Sequence, residues 1–144
     1  MFSKKLLSRR IKDNEGYSER IYLDQLGNQT IGYGHLITKK EKFKKNKRYS
    51  KKLLTKIFNE DVDKAIKNYK KLFYKHKFPA SVEEVIVEMI FQLGEKKFIK
   101  FKKAIKALKA KEFLLAGDEI LDSKMYKQVP NRVTTYVDVL KKQT

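Results

Sequence analysis

The feature that most constrains the fold is a change of hydrophobic period at Gly16. Before it, apolar residues recur at helical spacing, and a glycine stands where a left-handed residue commonly ends a helix. After it, polar and apolar side chains alternate over residues 20–24 and again over 30–35, on either side of a turn-rich stretch. The sequence therefore predicts a helix that ends at Glu15 and a β-hairpin centred on Gly27, with strands confined to the first third of the chain.

Three polar residues of this segment suggest chemistry. A hairpin centred on Gly27 places Asp24 opposite Thr30, with Cβ atoms about 5 Å apart, so that a water could be held between carboxylate and hydroxyl. Glu15 lies at the negative end of its helix, which disfavours its ionised form, and partial burial acts in the same direction. A protonated glutamate, an ionised aspartate and a positioned water are the groups that cleave a glycosidic bond by inversion.

These residues also carry a resemblance to a known family. Glu15, Asp24 and Thr30, followed by IGYGH, resemble the catalytic segment of the phage-type lysozymes, the muramidase family of the T-even phages. Three further matches follow in the family's order: FNEDVD at 58–63, MIFQLGE at 89–95 and PNR at 130–132. The resemblance implies an α+β, lysozyme-like fold, in which a small antiparallel sheet lobe and a larger helical lobe are joined by a long helix with a cleft between them. It also implies hydrolysis of the β-1,4 bond between N-acetylmuramic acid and N-acetylglucosamine in peptidoglycan.

The predicted catalytic roles each have a structural alternative. Glu15 is predicted to be the general acid, although a surface carboxylate at a helix end is the simpler interpretation. Asp24 is predicted to orient and activate water, and the alternative is an Asx-type turn residue. Thr30 is predicted to assist Asp24, and otherwise it is an ordinary β-branched strand residue.

His35 is a candidate general base, but the resemblance assigns it to a structural ion pair with Asp61 of FNEDVD. Such a pair satisfies a half-buried imidazole. We therefore expect His35→Asn to lower stability at neutral and acidic pH with a modest loss of activity.

The remaining site predictions concern substrate binding. Phe91 and Gln92 match positions that line the family's cleft, although Phe91 is equally interpretable as core. The resemblance implies that Arg132 lies near Glu15, where a guanidinium would lower the pKa of the carboxyl while the helix end and burial raise it. The alternative is one more exposed base. The full set of predicted substrate-binding residues is Leu36, Phe91, Gln92, Asn131 and Arg132.

Helical periodicity organises the rest of the chain. The sequence predicts a single lysozyme domain with a sheet lobe at about 14–50 and a helical lobe formed by 1–13 and 75–144, linked by a helix over 51–74. Ser50 is a candidate N-cap for the linking helix.

The predicted helical lobe contains four further helices. A capping box at Ser81 and Glu84 is expected to open a helix that is apolar nearly all round and therefore buried. Two shorter helices are predicted over 98–109 and 111–122, with Leu114 and Leu115 among the inward residues. The last helix is predicted to begin at Pro130.

Charge and composition limit the partners. The chain has thirty-five basic and seventeen acidic residues, which give a net charge of +18. A surface with this charge attracts polyanions. Nine basic residues lie within 39–52, a stretch that is predicted to be a solvated loop, with a dedicated anion site as the alternative. The strongly basic balance leaves a nucleic-acid-binding protein as one rival function, although no recognised nucleic-acid motif appears. A catalytically dead peptidoglycan-binding module is the other rival.

We expect no metal and no cofactor, a monomer, and peptidoglycan glycan strands as the partner, with non-specific attraction to anionic envelope polymers. Neither a signal peptide nor a transmembrane segment is predicted. The expected location is therefore the host cytoplasm after synthesis, with action on the wall after release through a separate membrane pore. Compared with the family, the region between hairpin and long helix is short and tryptophan is absent, which concerns substrate contacts more than the chemistry.

Overall fold

The computed structural model describes residues 2–143 and confirms the α+β class. In chain order the described elements are α1 (Lys4–Glu15), β1 (Ser18–Leu23), β2 (Gln29–Gly32), β3 (His35–Leu36), α2 (Lys51–Leu72), α3 (Ala80–Leu93), α4 (Glu95–Phe98), α5 (Lys102–Lys109), α6 (Phe113–Leu121), α7 (Lys124–Gln128) and α8 (Pro130–Lys141). Within 2–143, no helix is both long and apolar enough to cross a lipid bilayer.

The chain divides into two compact units. One comprises residues 3–66, and the other comprises residues 67–143 together with Phe2. The boundary falls inside α2. Helix α1 belongs to the first unit with the sheet, whereas the sequence-based division placed residues 1–13 with the helical lobe.

The sheet has three antiparallel strands in the order β1-β2-β3. The predicted first turn is present, but the strand predicted over 30–35 is wrong. Strand β2 ends at Gly32, and Tyr33 and Gly34 form a second turn before β3. The reason is conformational: Gly32 and Gly34 have φ angles of 66° and 75°, in the left-handed region that favours glycine, so the chain reverses there.

The predicted hairpin centre is also wrong by one residue, which shifts each strand pairing by two residues. Tyr22 pairs with Thr30 and Leu23 with Gln29, which centres the hairpin on Leu26 rather than Gly27. The backbone N–H of Asp24 donates to the Asn28 carbonyl at 3.0 Å and so closes the loop. Asp24 therefore lies opposite Asn28 and not opposite Thr30.

Helix α2 begins where the sequence predicts and ends two residues before the predicted limit of 74. Ser50 acts as the predicted cap, because the Leu53 N–H donates to its Oγ at 3.1 Å. One face of α2 is buried, and its members with less than a twentieth of their surface exposed are Leu54, Phe58, Val62, Ala65 and Tyr69.

Around α2, the unit 3–66 is tied together by contacts from α1 and the sheet. The Lys12 Nζ atom lies 5.0 Å from the Tyr33 ring centroid and 5.2 Å from that of Phe58. These two rings meet edge to face at 5.4 Å. The three residues come from α1, the second turn and α2, so the contact fixes all three elements together.

In the unit 67–143, helix α3 is buried along ten of its fourteen residues, as its apolar composition predicts. The predicted capping box is wrong: α3 begins at Ala80, after Pro79, and no side chain caps it. The Ser81 hydroxyl instead accepts a hydrogen bond from Gln143 Nε2 at 3.2 Å. A contact with a residue distant in sequence has replaced the local cap.

Two other helix predictions need correction. The helix predicted over 98–109 begins only at Lys102, as α5, while Phe98 ends the preceding short helix α4, and the short α7 was not predicted. Leu114 and Leu115 were predicted to point inward but are 51% and 46% exposed. The buried residues of α6 are Ala116, Gly117 and Ile120, and a Cβ on Gly117 would lie 3.2 Å from Val137 of α8. Close approach of the two helices at Gly117 therefore leaves the leucines outside. Helix α8 begins at Pro130 as predicted.

Candidate active site

The Glu15 side chain lies against the turn that joins β2 and β3. Glu15 is the last residue of α1, and a Cβ placed on Gly34 would come within 2.7 Å of its Cδ and 2.8 Å of its Cγ. Ordinary carbon contacts are about 3.5–4.0 Å, so only glycine leaves room for the carboxylate at this position. Gly34 therefore positions Glu15, a role that the sequence analysis did not assign to it.

Asp24 is held by the first turn. Its Oδ1 atom accepts the N–H groups of Leu26 at 2.9 Å and Asn28 at 2.8 Å, and its Oδ2 atom lies 3.4 Å from Asn28 Nδ2. These are the contacts of the Asx-type alternative. They also fix the carboxylate, and they leave Oδ2 with the greater capacity to accept a further hydrogen bond.

Thr30 lies on the central strand and is 1% exposed. Its hydroxyl donates to the Asn28 carbonyl at 2.8 Å, the same carbonyl that accepts from the Asp24 backbone. Because its proton is engaged in this bond, the Thr30 hydroxyl can only accept further hydrogen bonds. Glu15, Asp24 and Thr30 all belong to the unit 3–66.

His35 lies between two carboxylates. Its Nδ1 atom is 2.7 Å from Asp61 Oδ2, and its Nε2 atom is 2.9 Å from both carboxylate oxygens of Glu41. The structure thus brings together His35 and Asp61, the pair that the resemblance implied. Both nitrogens can donate only when the ring carries its second proton.

Protonation of His35 follows from this arrangement. Burial lowers the pKa of His35, but the hydrogen bonds and negative charges of Asp61 and Glu41 outweigh burial and raise it above the ordinary value of 6.5. For Glu41, burial raises the pKa, but the Thr38 amide and the His35 charge lower it below 4.5 overall. The two carboxylates therefore favour the protonated imidazole, and the three residues together form an ion-pair network.

Glu41 is a member of this network that was not predicted from the sequence. It is the only acidic residue among fourteen in the segment 39–52, and such an isolated opposite charge was a usable signal. Its carboxylate also accepts the Thr38 N–H at 2.9 Å, which ties the chain after β3 to the imidazole.

In the unit 67–143, a buried polar cluster surrounds Arg132. Its Nε donates to the Tyr136 hydroxyl at 3.0 Å, and its Nη2 lies 3.6 Å from Glu88 Oε2. The same hydroxyl is 3.1 Å from Glu88 Oε2 and 3.0 Å from Gln92 Oε1, so its single proton serves one of two acceptors. Burial, and then the charge of Glu88, raise the pKa of Tyr136 above its ordinary value.

This cluster joins two predicted substrate-binding residues, Gln92 and Arg132, with two residues that the sequence analysis missed. Glu88 is 1% exposed and Tyr136 is 2% exposed. The signal for Glu88 was a single acidic residue within the apolar run VIVEMIF. No comparable signal marked Tyr136, because a tyrosine at a core position is ordinary.

The other predicted substrate-binding residues lie in different environments. Leu36 pairs with Thr30 in the sheet and is half-buried. Asn131 is exposed in the first turn of α8. Phe91 is 8% exposed, which fits its interpretation as core.

Comparison with known proteins matches this chain to one family. Residues 12–140 match the family described as phage lysozyme. Two relatives from Dictyostelium discoideum are named probable T4-type lysozyme 2, at 29% identity, and probable T4-type lysozyme 1, at 27% identity. Each alignment covers 93% of this chain and 92% of the relative. The match spans most of the chain and includes the segment that carries Glu15, Asp24 and Thr30, so the chain belongs to the phage lysozyme family.

Proposed function

We propose that this protein hydrolyses the β-1,4 bond between N-acetylmuramic acid and N-acetylglucosamine in peptidoglycan, with inversion at the anomeric carbon. The observation that carries the proposal is the placement of Glu15. A carboxylate at a helix C-terminus is electrostatically unfavourable, and a glycine of the neighbouring turn is needed to make room for it. A side chain kept there against both costs is best explained by catalysis.

In this mechanism Glu15 is the general acid and gives its proton to the oxygen of the leaving sugar. Asp24 and Thr30 act on the attacking water. The water donates one proton to Asp24 and the other to the Thr30 oxygen, whose own proton is already engaged with Asn28. With both protons held, a lone pair of the water is directed at the anomeric carbon. Asp24 removes a proton as the new bond forms.

The proposed substrate-binding residues lie in both units. Gln92 and Arg132 are held by Tyr136 and Glu88, which restricts their side chains before any ligand arrives. We assign Leu36 and Asn131 to glycan contacts on the resemblance alone. The burial of Phe91 supports a packing role within the unit 67–143 rather than direct contact with the glycan.

The test is cleavage of purified peptidoglycan by wild type and by Glu15→Gln. Loss of a general acid is expected to lower the rate by about 10²–10⁴-fold. The matched control is Glu60→Gln, which makes the same change at an exposed position of α2 and should retain wild-type activity.

Product analysis by mass spectrometry and NMR completes the test. Reducing ends of muramic acid, formed first as the α-anomer, are expected. An anhydro product would instead indicate a lytic transglycosylase. Equal cleavage by Glu15→Gln and wild type would refute the proposed acid, and absence of cleavage by the wild type would refute the proposed function.

A further inference from the structure

The segment 39–52, here called the basic segment, concentrates positive charge next to the sheet. Nine of its fourteen residues are lysine or arginine, and Glu41 is the only acidic one. It leaves β3, crosses the surface of the unit 3–66 and enters the first turn of α2. All nine basic side chains are exposed.

The basic segment is an ordered loop. The Lys44 N–H donates to the Tyr49 hydroxyl at 2.7 Å, and the Tyr49 N–H donates to the Glu19 carbonyl of β1 at 3.0 Å. The Phe43 and Tyr49 rings meet edge to face at 5.1 Å. These contacts attach the backbone of the segment to the sheet. The lysines therefore extend from a fixed backbone, and less conformational entropy is lost when the lysines bind a ligand.

The charge of the basic segment is not neutralised by carboxylates of residues 2–143. The Glu41 carboxylate is occupied by His35 and by the Thr38 N–H. Among residues 2–143, no carboxylate lies within 4.0 Å of the cationic nitrogens of the nine basic residues. The field of the segment is therefore directed to solvent and to whatever binds there.

Two of the lysines occupy positions that oppose helix stability. Lys51 and Lys52 lie in the first turn of α2, which contains no acidic residue. Cations are unfavourable at the positive end of a helix dipole. The helix N-terminus adds its own positive field to that of the loop, so anion affinity increases where helix stability decreases.

We propose that the basic segment binds a linear polyol-phosphate polymer and thereby holds the enzyme to the wall that it cleaves. The choice of a wall polymer depends on the proposed function. The lysines are compact point charges, which suit a flexible chain of singly charged phosphodiesters without requiring bidentate recognition.

Two features of the basic segment favour this ligand over other polyanions. A single-stranded nucleic acid would stack its bases on exposed aromatic rings, but Phe43 and Tyr49 are half-buried and pack on each other. A membrane-surface segment would combine its charge with apolar side chains that insert, and the segment offers none that is fully exposed.

The test measures binding of purified poly(glycerol phosphate) to the full chain by anisotropy of the end-labelled polymer, at low and physiological salt. One variant changes Lys42, Lys44 and Lys45 to Gln. The control variant changes Lys96, Lys106 and Lys127 to Gln, three exposed lysines of the other unit. Each variant lowers the net charge from +18 by three.

The loop variant is expected to lose roughly a hundredfold in affinity at low salt, because each lysine near an anionic surface contributes about fivefold. The control should change only a few-fold. Equal losses in both variants would overturn the proposal in favour of net charge alone. Tighter binding of the wild type to duplex DNA or to phosphatidylglycerol vesicles, at equal phosphate concentration, would also overturn it.

Cleavage of peptidoglycan stripped of phosphate polymer is measured in parallel and should be the same for the loop variant and the wild type. This arm distinguishes the two proposals. A wild type that binds the polymer but cleaves no glycan refutes the proposed hydrolysis and, with it, the role of the polymer as an enzyme anchor. A wild type that cleaves glycan but does not bind the polymer refutes the inference about the basic segment alone.

Discussion

The strongest quantitative prediction concerns the stability contributed by His35. In His35→Asn the imidazolium between Asp61 and Glu41 is lost, together with contacts at 2.7 and 2.9 Å. A hydrogen bond to a charged group contributes about 1.5–3 kcal/mol. The side chains are 13% exposed for His35, 26% for Asp61 and 30% for Glu41, so two such bonds are reduced by solvent screening. We expect a loss of about 3 kcal/mol, which lowers Tm by about 9 °C in a chain of this size.

The pH dependence has a definite sign. The pKa of His35 is raised in the folded state, so its contribution is complete below 6.5 and is lost as pH rises through the raised value. The pKa of Glu41 is lowered, so its contribution is complete above 4.5 and is lost as pH falls through the lowered value. The difference in unfolding free energy between wild type and His35→Asn is therefore largest between 4.5 and 6.5 and decreases on both sides.

Urea unfolding followed by circular dichroism, at a series of pH values, measures this difference. His76→Asn is the control, since that imidazole stacks on Phe78 at 6.3 Å and does not lie between two carboxylates. Removal of the second histidine tests the loss of a ring without the loss of the network. If the cost of His35→Asn is the same in the acidic window and in mild alkali, packing rather than charge explains it, and the reasoning is refuted. An inactive His35→Asn variant of full stability would make His35 catalytic.

Two further predictions concern the contacts around the proposed site. Gly34→Ala should reduce peptidoglycan cleavage by about a hundredfold, because its methyl group displaces the Glu15 carboxylate. The control is Gly94→Ala, which has a similar positive φ and no atom within 4 Å of the added methyl group, and which should show the effect of backbone strain alone. Equal activities in the two variants would show that Gly34 does not position the acid. Tyr136→Phe should destabilise the protein by about 1–3 kcal/mol in urea unfolding, because it removes a hydroxyl partner of the buried Glu88. A change below about 0.5 kcal/mol would mean that other partners satisfy the Glu88 carboxylate.

Local rules predicted the elements whose ends are set by neighbouring residues. Helix α1 ends at Glu15 because Gly16 follows, and α2 begins after Ser50 because its hydroxyl caps the first turn. The sequence predicted the hairpin but not its register. Whether the hairpin is centred on Leu26 or on Gly27 depends on how Asp24 closes the loop. Turn residues indicate that a chain reverses more reliably than they indicate at which residue.

Interactions between distant residues account for the other errors. The Ser81 hydroxyl accepts a hydrogen bond from Gln143 and does not cap the start of its own helix. Leu114 is exposed because α6 approaches α8 through the face that carries Gly117 and Ile120, and periodicity alone did not distinguish that face from the one with Leu114. The Glu88 network is formed by residues 44 and 48 positions apart, which no local pattern reveals.

The second turn of the sheet explains why loss of His35 should cost much stability and little activity. The contact that places the Glu15 carboxylate is made by Gly34, which immediately precedes His35 in the chain. The turn has two further attachments to α2: Gly32 approaches Leu54, with 3.3 Å between a Cβ built on Gly32 and that of Leu54, and the Tyr33 ring meets Phe58 at 5.4 Å. These contacts are apolar and survive removal of the imidazole, so Gly34 keeps its place while the folded state retains them. Activity should therefore follow the folded fraction in His35→Asn, whereas in Gly34→Ala activity should fall in protein that is still folded.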